Sequence, residues 1–282
     1  MPRHAVRPVS LKRGLRQVLC SLASALAIAG FANSGATATL EFIQGTKNFN
    51  ICANPEALPY SSETGLPGFQ LEVHKEISKR LGWNPTVSWV YNRIAARRVD
   101  CGGSMGRMLY TNQEVSRIIR GTKAYMGSGS VIVLPPRAQT DFDSLASILK
   151  GPAFSGGGKM GIYLGAWTGG LIEKQGVLTT GFPDAGQIIE AVLAGAVSGG
   201  VVPREDAAWQ LKQHPGSISI IEIFKFDPEF RWNLGMGMRK SDQNLIDKLN
   251  ETLAQMQRDG TFMSILDKYG ISYQPPFPDI AD

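Results

Sequence analysis

Residues 49–83 read FNICANPEALPYSSETGLPGFQLEVHKEISKRLGW, and this stretch decides the fold. A short apolar run at its start is typical of a strand, and a loop rich in Pro and Gly follows. Apolar residues then recur at every fourth position, at Phe69, Val73, Ile77 and Leu81. This period, closed by Gly82, predicts a helix over residues 68–81. Because α/β sheets bind ligands at the carboxyl ends of their strands, the loop is a candidate ligand-binding segment, with a purely structural crossover loop as the alternative.

The first 38 residues have the pattern of a secretory signal. Basic residues precede an apolar run at residues 18–29, and Ala36-Thr37-Ala38 supplies a small-x-small cleavage site. The run is too short to span a bilayer, and no later segment reaches about 18 unbroken apolar residues. We therefore expect an exported protein, cleaved after Ala38, without membrane insertion.

Loss of this segment changes the charge balance. The full chain carries 29 Lys and Arg against 24 Asp and Glu, and five of the basic residues lie in the signal. The mature chain is therefore close to neutral. Nucleic-acid binding needs a concentrated basic face, whereas the mature Lys and Arg are scattered among acidic residues, so we exclude nucleic acid as a partner.

Two cysteines remain after cleavage, Cys52 and Cys101, and an exported chain meets an oxidising compartment. Each lies within or at the end of a predicted strand, at residues 49–53 and 99–104. The first and third strands of a doubly wound sheet are neighbours. We predict a disulfide between the two cysteines, with two buried free thiols as the alternative.

The sequence offers few groups for catalysis, and we predict neither an enzyme nor a cofactor. No strand-to-helix nucleophile elbow is predicted, and His74 and His214 have neither a matched nucleophile nor the spacing of metal ligands. Asp141 and Asp143 are typical of a helix N-cap pair.

Beyond the first strand the pattern alternates strands and helices in two groups. A second helix is predicted near residues 92–98, and an apolar strand at residues 128–134 ends at Pro135-Pro136. Helices and strands alternate again over residues 144–223, and a strand at residues 232–238 leads into two closing helices. Such alternation predicts mainly parallel α/β sheets in two lobes.

This order of elements, together with GIYLGAWTGGLIEK at residues 161–174 and the closing NLIDKLNETLAQMQRDGTFMSILDKYGI, resembles the type 2 periplasmic solute-binding proteins. The resemblance covers nearly all of the mature chain. It implies a periplasmic location and a ligand cleft between two lobes, joined by crossover strands with hinges at residues 133–135 and 233–235. It also implies the lobe limits: residues 39–134 plus 235–282 form lobe 1, and residues 135–234 form lobe 2.

The amino-acid binders of that family hold the ligand carboxylate with an Arg and the ligand amine with an Asp. The positions that match here are Val115 and Pro203, so both charged anchors are missing. Arg117, Arg120 or Arg204 are alternative anchors, but each is more simply interpreted as a solvated helix or loop charge.

Within the family, Cys52-Ala53-Asn54-Pro55, the following Leu58-Pro59-Tyr60-Ser61 and the second cysteine resemble the MxaJ and XoxJ type proteins associated with quinoprotein dehydrogenases. One departure is Asp100, which precedes Cys101 where the subgroup has the order Cys-Asp. This resemblance implies an accessory protein of methanol oxidation whose partners are a pyrroloquinoline quinone methanol dehydrogenase and its cytochrome. The alternative is a receptor that delivers a small solute to an ABC permease.

The cleft is expected to be lined by apolar and aromatic side chains, as ligand pockets usually are. The candidate ligand or partner residues are Tyr60, Phe69, Met105, Tyr125, Trp167, Thr168 and Arg204. Tyr60 and Trp167 lie among Gly, Pro and Ser and are also candidate partner anchors. For several of the others, core packing is the alternative. Thr168 follows a Gly-rich turn that suits an anion, and a plain N-cap role is its alternative.

Overall fold

The computed structural model describes residues 39–91, 99, 101–110, 119–239 and 242–280. The predicted signal, the helix predicted near residues 92–98 and the positions Val115 and Arg117 lie outside the described residues.

The first part of the chain builds one half of the sheet and the helix predicted from the opening stretch. Its elements are α1 (Leu40–Thr46), β1 (Asn48–Ala53), β2 (Glu56–Ala57), β3 (Ser61–Ser62), α2 (Phe69–Leu81), β4 (Asn84–Trp89), β5 (Gly103–Leu109), β6 (Ile119–Gly121) and β7 (Met126–Leu134). Helix α2 begins and ends within a residue of its prediction because its apolar stripe faces the core. The sequence did not predict α1, a short helix whose N-cap Thr39 accepts a hydrogen bond from the Phe42 N–H.

The second part alternates helices and strands as predicted and then closes with helices. Its elements are α3 (Leu145–Lys150), β8 (Met160–Tyr163), α4 (Trp167–Lys174), β9 (Thr179–Phe182), α5 (Ala185–Leu193), β10 (Gly199–Pro203), α6 (Arg204–Gln213), β11 (Ser219–Ile221), 3-10 turns at Ile223–Lys225 and Pro228–Phe230, β12 (Arg231–Arg239), α7 (Gln243–Arg258) and α8 (Thr261–Asp267). Within the described ranges, none of these helices is long and apolar enough to cross a bilayer.

Apart from β2 and β3, which pair with each other, the described strands form a sheet in the order β4-β1-β5-β12-β7-β10-β8-β9, with β6 beside β12 and β11 beside β7. Strand β1 is parallel to β4 and β5, and β8 is parallel to β9 and β10. Between these parallel arms, β12 and β7 run antiparallel to each other. The predicted α/β fold of two lobes joined by two crossover strands is confirmed.

Two separate hydrophobic cores lie on either side of the β12–β7 pair. One packs α1, α2, α7 and α8 on β1 and β5, and the other packs α3, α4 and α5 on β8 and β10. We call the parts built around these cores lobe 1 and lobe 2. The chain passes from one core to the other between Met126 and Val131, and returns between Phe230 and Trp232. Both passages come a few residues before the expected hinges, and the lobe limits at residues 134 and 235 stay predictions.

The predicted disulfide is present between Cys52 and Cys101, whose Cα atoms lie 5.5 Å apart. The two cysteines meet because β1 and β5 are neighbours, with Ile51 paired to Gly103. The strand predicted at residues 99–104 was placed too early, since β5 runs through the Gly- and Met-rich segment that follows. The Gly- and Met-rich composition of β5 does not favour a strand, but pairing with β12, on the side of β5 away from β1, supplies backbone hydrogen bonds that stabilise it.

We expect the disulfide to stabilise lobe 1. The cross-link spans a sequence separation of 49 residues, and closing a loop of this length restricts the unfolded chain. Replacing both cysteines by Ser should lower the free energy of unfolding by about 2–4 kcal/mol. Urea denaturation checks this, with the wild type in dithiothreitol as the control that should match the double variant. Equal midpoints for the oxidised wild type and the double variant would contradict the prediction.

Candidate functional site

The loop after β1 holds Tyr60 against the rest of lobe 1. Its end is fixed where the Gly68 N–H donates to the Tyr269 hydroxyl at 2.9 Å. Gly68 has a φ of 89°, and a Cβ there would lie 2.4 Å from the Tyr60 carbonyl oxygen. Only glycine tolerates both the positive φ and this approach. The tight loop end therefore fixes the backbone that carries the tyrosine.

The Tyr60 hydroxyl reaches two carboxylates at the start of α6. It donates to Asp206 at 2.9 Å and to Glu205 at 3.2 Å. On the other side, the Ser128 hydroxyl of β7 lies 2.7 Å and 2.9 Å from the two Glu205 carboxylate oxygens. Because Ala207 of the same helix packs in the lobe 2 core, these contacts join the two lobes. We call Tyr60, Glu205 and Asp206 the acidic contact.

Burial dominates the electrostatics of the acidic contact. Glu205 has no exposed surface, and burial raises its pKa while the Arg204 charge and the Ser128 hydroxyl oppose the rise. Burial also raises the pKa of Asp206 to about 7, against the hydrogen bond from Tyr60. The pKa of Tyr60 rises well above its usual value, first through burial and then through the two carboxylates. The contact is therefore sensitive to any cation or proton that enters it.

Trp167 makes a second contact between the lobes. It is the first residue of α4, and its ring lies 5.3 Å from that of Tyr110 and 6.3 Å from that of Phe230. Phe230 belongs to the lobe 2 core, whereas Tyr110 packs on the lobe 1 core. Trp167 keeps 39% of its surface exposed. The indole thus lies at the rim of the contact between the lobes rather than inside either core.

Three of the predicted cleft residues belong to the lobe 1 core, which was the alternative for most of them. Phe69, Met105 and Tyr125 are all at most 1% exposed. The Tyr125 hydroxyl donates to the Met105 carbonyl, and the Phe69 ring lies 5.5 Å from that of Tyr60. Of the three, Phe69 packs against the loop tyrosine.

Thr168 and Arg204 differ from the interpretations given to them from sequence. Helix α4 begins at Trp167, with Ala166 as its N-cap, so Thr168 is a buried first-turn residue and not the cap. Arg204 is half-buried rather than solvated. Its Nη2 donates to the Ser272 carbonyl at 2.8 Å, and its guanidinium lies 5.5 Å from the centre of the Phe224 ring.

Sequence reasoning missed Glu205, Asp206, Ser128 and Tyr110 as members of the site. Two acidic residues in the first turn of a helix are usual because they suit the helix dipole, so Glu205 and Asp206 gave no distinctive signal. The available clue was that they follow a buried strand end, where ligands bind in α/β sheets.

Metal binding finds no support in the part of the chain that the structure describes, where His, Cys, Asp and Glu form no cluster suited to an ion. His74 is a buried core residue whose Nε2 lies 2.9 Å from the Phe49 carbonyl oxygen. Burial lowers its pKa to about 4, which keeps the ring neutral.

Two lobes in side-chain contact across a pair of crossover strands define a two-lobed binding protein of the periplasmic type. The chain matches the family described as "Bacterial extracellular solute-binding proteins, family 3" over residues 49–272, and it belongs to that family.

The relatives are distant. The histidine-binding periplasmic protein of Escherichia coli (strain K12) is 24% identical over 263 residues, which covers 83% of this chain and 91% of the relative. The protein of the same name from Salmonella typhimurium (strain LT2) is equally similar, at 24% over 263 residues, with the same coverage.

Solved structures share the fold. An ancestral cationic amino acid solute-binding protein superposes with a TM-score of 0.67 at 16% identity, covering 82% of this chain and 98% of that one. The amino acid ABC transporter substrate-binding protein AbpA from Streptococcus pneumoniae, bound to L-arginine, superposes with a TM-score of 0.63 at 15% identity, covering 82% and 97%.

We expect the acidic contact to make stability fall as pH rises. The pKa of Asp206 in the folded protein, about 7, lies above the ordinary value of 3.8, so the folded state holds a proton that the unfolded state has lost between these pH values. The stabilisation from this bound proton is complete below pH 4 and is lost as pH rises through 7. Between these pH values the free energy of unfolding should fall by at most about 1.4 kcal/mol per pH unit, as expected for one proton.

The Asp206→Asn variant should flatten this decline, leaving the share due to Glu205. Urea denaturation between pH 4 and pH 8 measures it. Exposed Asp267, changed to Asn, is the matched control and should keep the wild-type slope. An Asp206→Asn profile parallel to that of the wild type would show that this carboxyl does not carry the effect.

Proposed function

We propose that this protein is an exported receptor that binds a small solute between its lobes and delivers it to an ABC permease. Membership of the solute-binding family supports the binding role, and similar structures are described as binding proteins of amino acid ABC transporters. The predicted signal supports export to the periplasm. In this role the protein binds and releases its solute without forming or breaking bonds.

The observation that carries the choice of solute is the acidic contact. Glu205 and Asp206 place two carboxylates at the junction of the lobes, with one neutral hydroxyl, that of Tyr60, donating to both. A solute with a cationic group would replace this hydroxyl and gain a charge-assisted hydrogen bond in a site of low dielectric. Relatives named for histidine and for cationic amino acids support the same class of solute.

A bound cation would also offset part of the cost of burying Glu205, which has no exposed surface. An ionised acid buried without a partner costs several kcal/mol. The solute would favour the closed arrangement, in which both lobes contact it. The shift from the open to the closed population would be set by the difference between the affinities of the two arrangements for the solute.

A calorimetric screen tests this proposal. Arginine, lysine, histidine and ornithine should include a ligand, whereas succinate, glutamate and glucose should give no heat. A cation binds the ionised form of Asp206, which is the minor form below pH 7. As pH increases towards 7, the affinity for the cation should therefore increase about tenfold per pH unit. Asp206→Asn should remove this dependence and Asp267→Asn should keep it. Silence from every cation, or an affinity independent of pH, would refute the proposal.

A second candidate function is an accessory role in methanol oxidation, in which the protein binds or matures a quinoprotein methanol dehydrogenase. The motif Cys52-Ala53-Asn54-Pro55 and the disulfide to Cys101 favour it. Tyr60 and Trp167 favour it as well, since both lie at contacts between the lobes and aromatic side chains often anchor protein interfaces.

Deletion and reconstitution test the accessory role. Loss of the gene should lower methanol dehydrogenase activity, and the purified protein should bind the dehydrogenase. Replacing both Tyr60 and Trp167 by Ala should weaken that association by about tenfold, since aromatic anchors at an interface contribute 1 kcal/mol or more. The exposed Phe42, replaced by Ala, is the control that should bind normally. Unchanged dehydrogenase activity after deletion would remove this candidate.

A further inference from the structure

The end of the described chain, residues 271–280, forms neither helix nor strand and runs across both crossover strands. We call it the C-terminal strap. Its three prolines, Pro275, Pro276 and Pro278, favour an extended backbone of restricted freedom. Both ends of the strap are buried, at Ile271 and at Ile280. An irregular segment with buried ends must be held by specific contacts.

The start of the strap belongs to lobe 1. Ile271 is part of the lobe 1 core. The Tyr273 ring lies 5.9 Å from that of Phe262 on α8. The Gln257 side chain of α7 donates to the Tyr125 carbonyl at 2.7 Å and lies 3.4 Å from the Tyr273 hydroxyl.

The middle of the strap lies on a directly paired position of the crossover strands, Gly127 of β7 and Asn233 of β12. The Gly127 N–H donates to the Gln274 carbonyl at 2.8 Å. The buried Asn233 amide uses both its ends: its Oδ1 accepts from the Phe277 N–H at 2.8 Å, and its Nδ2 donates to the Phe277 carbonyl at 3.0 Å. A Cβ at residue 127 would lie 2.6 Å from the Pro275 carbonyl oxygen, so the strap needs glycine there.

The end of the strap reaches lobe 2. The Phe277 ring lies 6.2 Å from that of Phe224, a buried member of the lobe 2 core. The Arg231 guanidinium lies 4.9 Å from the centre of the Phe277 ring, and its Nη2 pairs with the Asp279 carboxylate at 2.7 Å. The strap thus makes contacts in lobe 1, on both crossover strands and in lobe 2.

We propose that the C-terminal strap is a third connection between the lobes, and that it holds them in the arrangement in which the acidic contact forms. Hinge motion needs backbone rotation at a few residues of the connecting strands. Gly127 lies where the chain passes between the two cores, Asn233 lies next to the return passage and pairs with Gly127, and the strap is bonded to both. Opening the lobes would separate Phe277 from Phe224 or detach its peptide from Asn233. The strap therefore biases the protein without solute towards the closed arrangement.

Distance measurements on the protein without solute test the strap. Spin labels on Glu63→Cys and Leu164→Cys, two exposed loop positions after strands of the two lobes, report the opening of the cleft. The labelled wild type should show one short distance. Phe277→Ala should add a population at longer distance, and Gly127→Ala should do the same by displacing the strap without altering its sequence. Phe226→Ala, a partly exposed aromatic residue near Phe224, is the matched control and should keep the single short distance.

The result decides the proposal whichever solute the protein binds. If Phe277→Ala and Gly127→Ala both keep the wild-type distance while circular dichroism shows them folded, the strap does not restrain the lobes. If the wild type itself already populates the longer distance as fully as these variants do, the proposal is also overturned. A variant that fails to fold is replaced by a chain that ends at Gln274, which lacks every contact to Asn233, Phe224 and Arg231 made by the strap and is expected to open in the same way.

Discussion

The antiparallel pairing of β7 with β12 is the interaction on which the rest of the structure depends. Four residue pairs, from Arg231 with Gly129 to Leu234 with Met126, join the two halves of the sheet, whose helices pack in separate cores. Beyond this short ladder β7 pairs with β10 of lobe 2, while β12 pairs with β5 of lobe 1. The contacts between the lobes, among them the acidic contact and Trp167, depend on this ladder because it sets the distance between the lobes.

The ladder also explains why a carboxylate can be buried at the junction. An unpaired buried charge costs several kcal/mol, so Glu205 needs hydrogen-bond partners, and the structure draws them from outside lobe 2. Ser128 supplies one from within the ladder, and Tyr60 supplies another from lobe 1. Because the buried acid is held by three parts of the molecule, one relative position of the lobes has a lower free energy than nearby positions.

The sequence predicted the parts of the structure that depend on local pattern. Helix α2 was placed within a residue because an apolar period and the closing Gly82 define it, and the disulfide was predicted from the strand order. The site was predicted less well. Phe69 and Tyr125 were assigned to the cleft but lie in the core, since an aromatic side chain near a strand end suits either place. Glu205 and the strap depend on contacts between residues far apart in the chain, which no local pattern encodes.

The acidic contact and the C-terminal strap bind neighbouring residues of β7. Ser128 carries the hydroxyl that binds Glu205, and the peptide N–H of Gly127, one position earlier, binds the strap. Successive side chains of a strand point to opposite faces, so the strap approaches the face of β7 that a residue 127 side chain would fill, and the carboxylate approaches the other. A rotation of the backbone here disturbs both at once. A solute that bound Glu205 and Asp206 would therefore act through Ser128, the residue next to the Gly127 that the strap holds. This proximity on one strand is a physical route for coupling between occupancy of the cleft and the angle of the hinge.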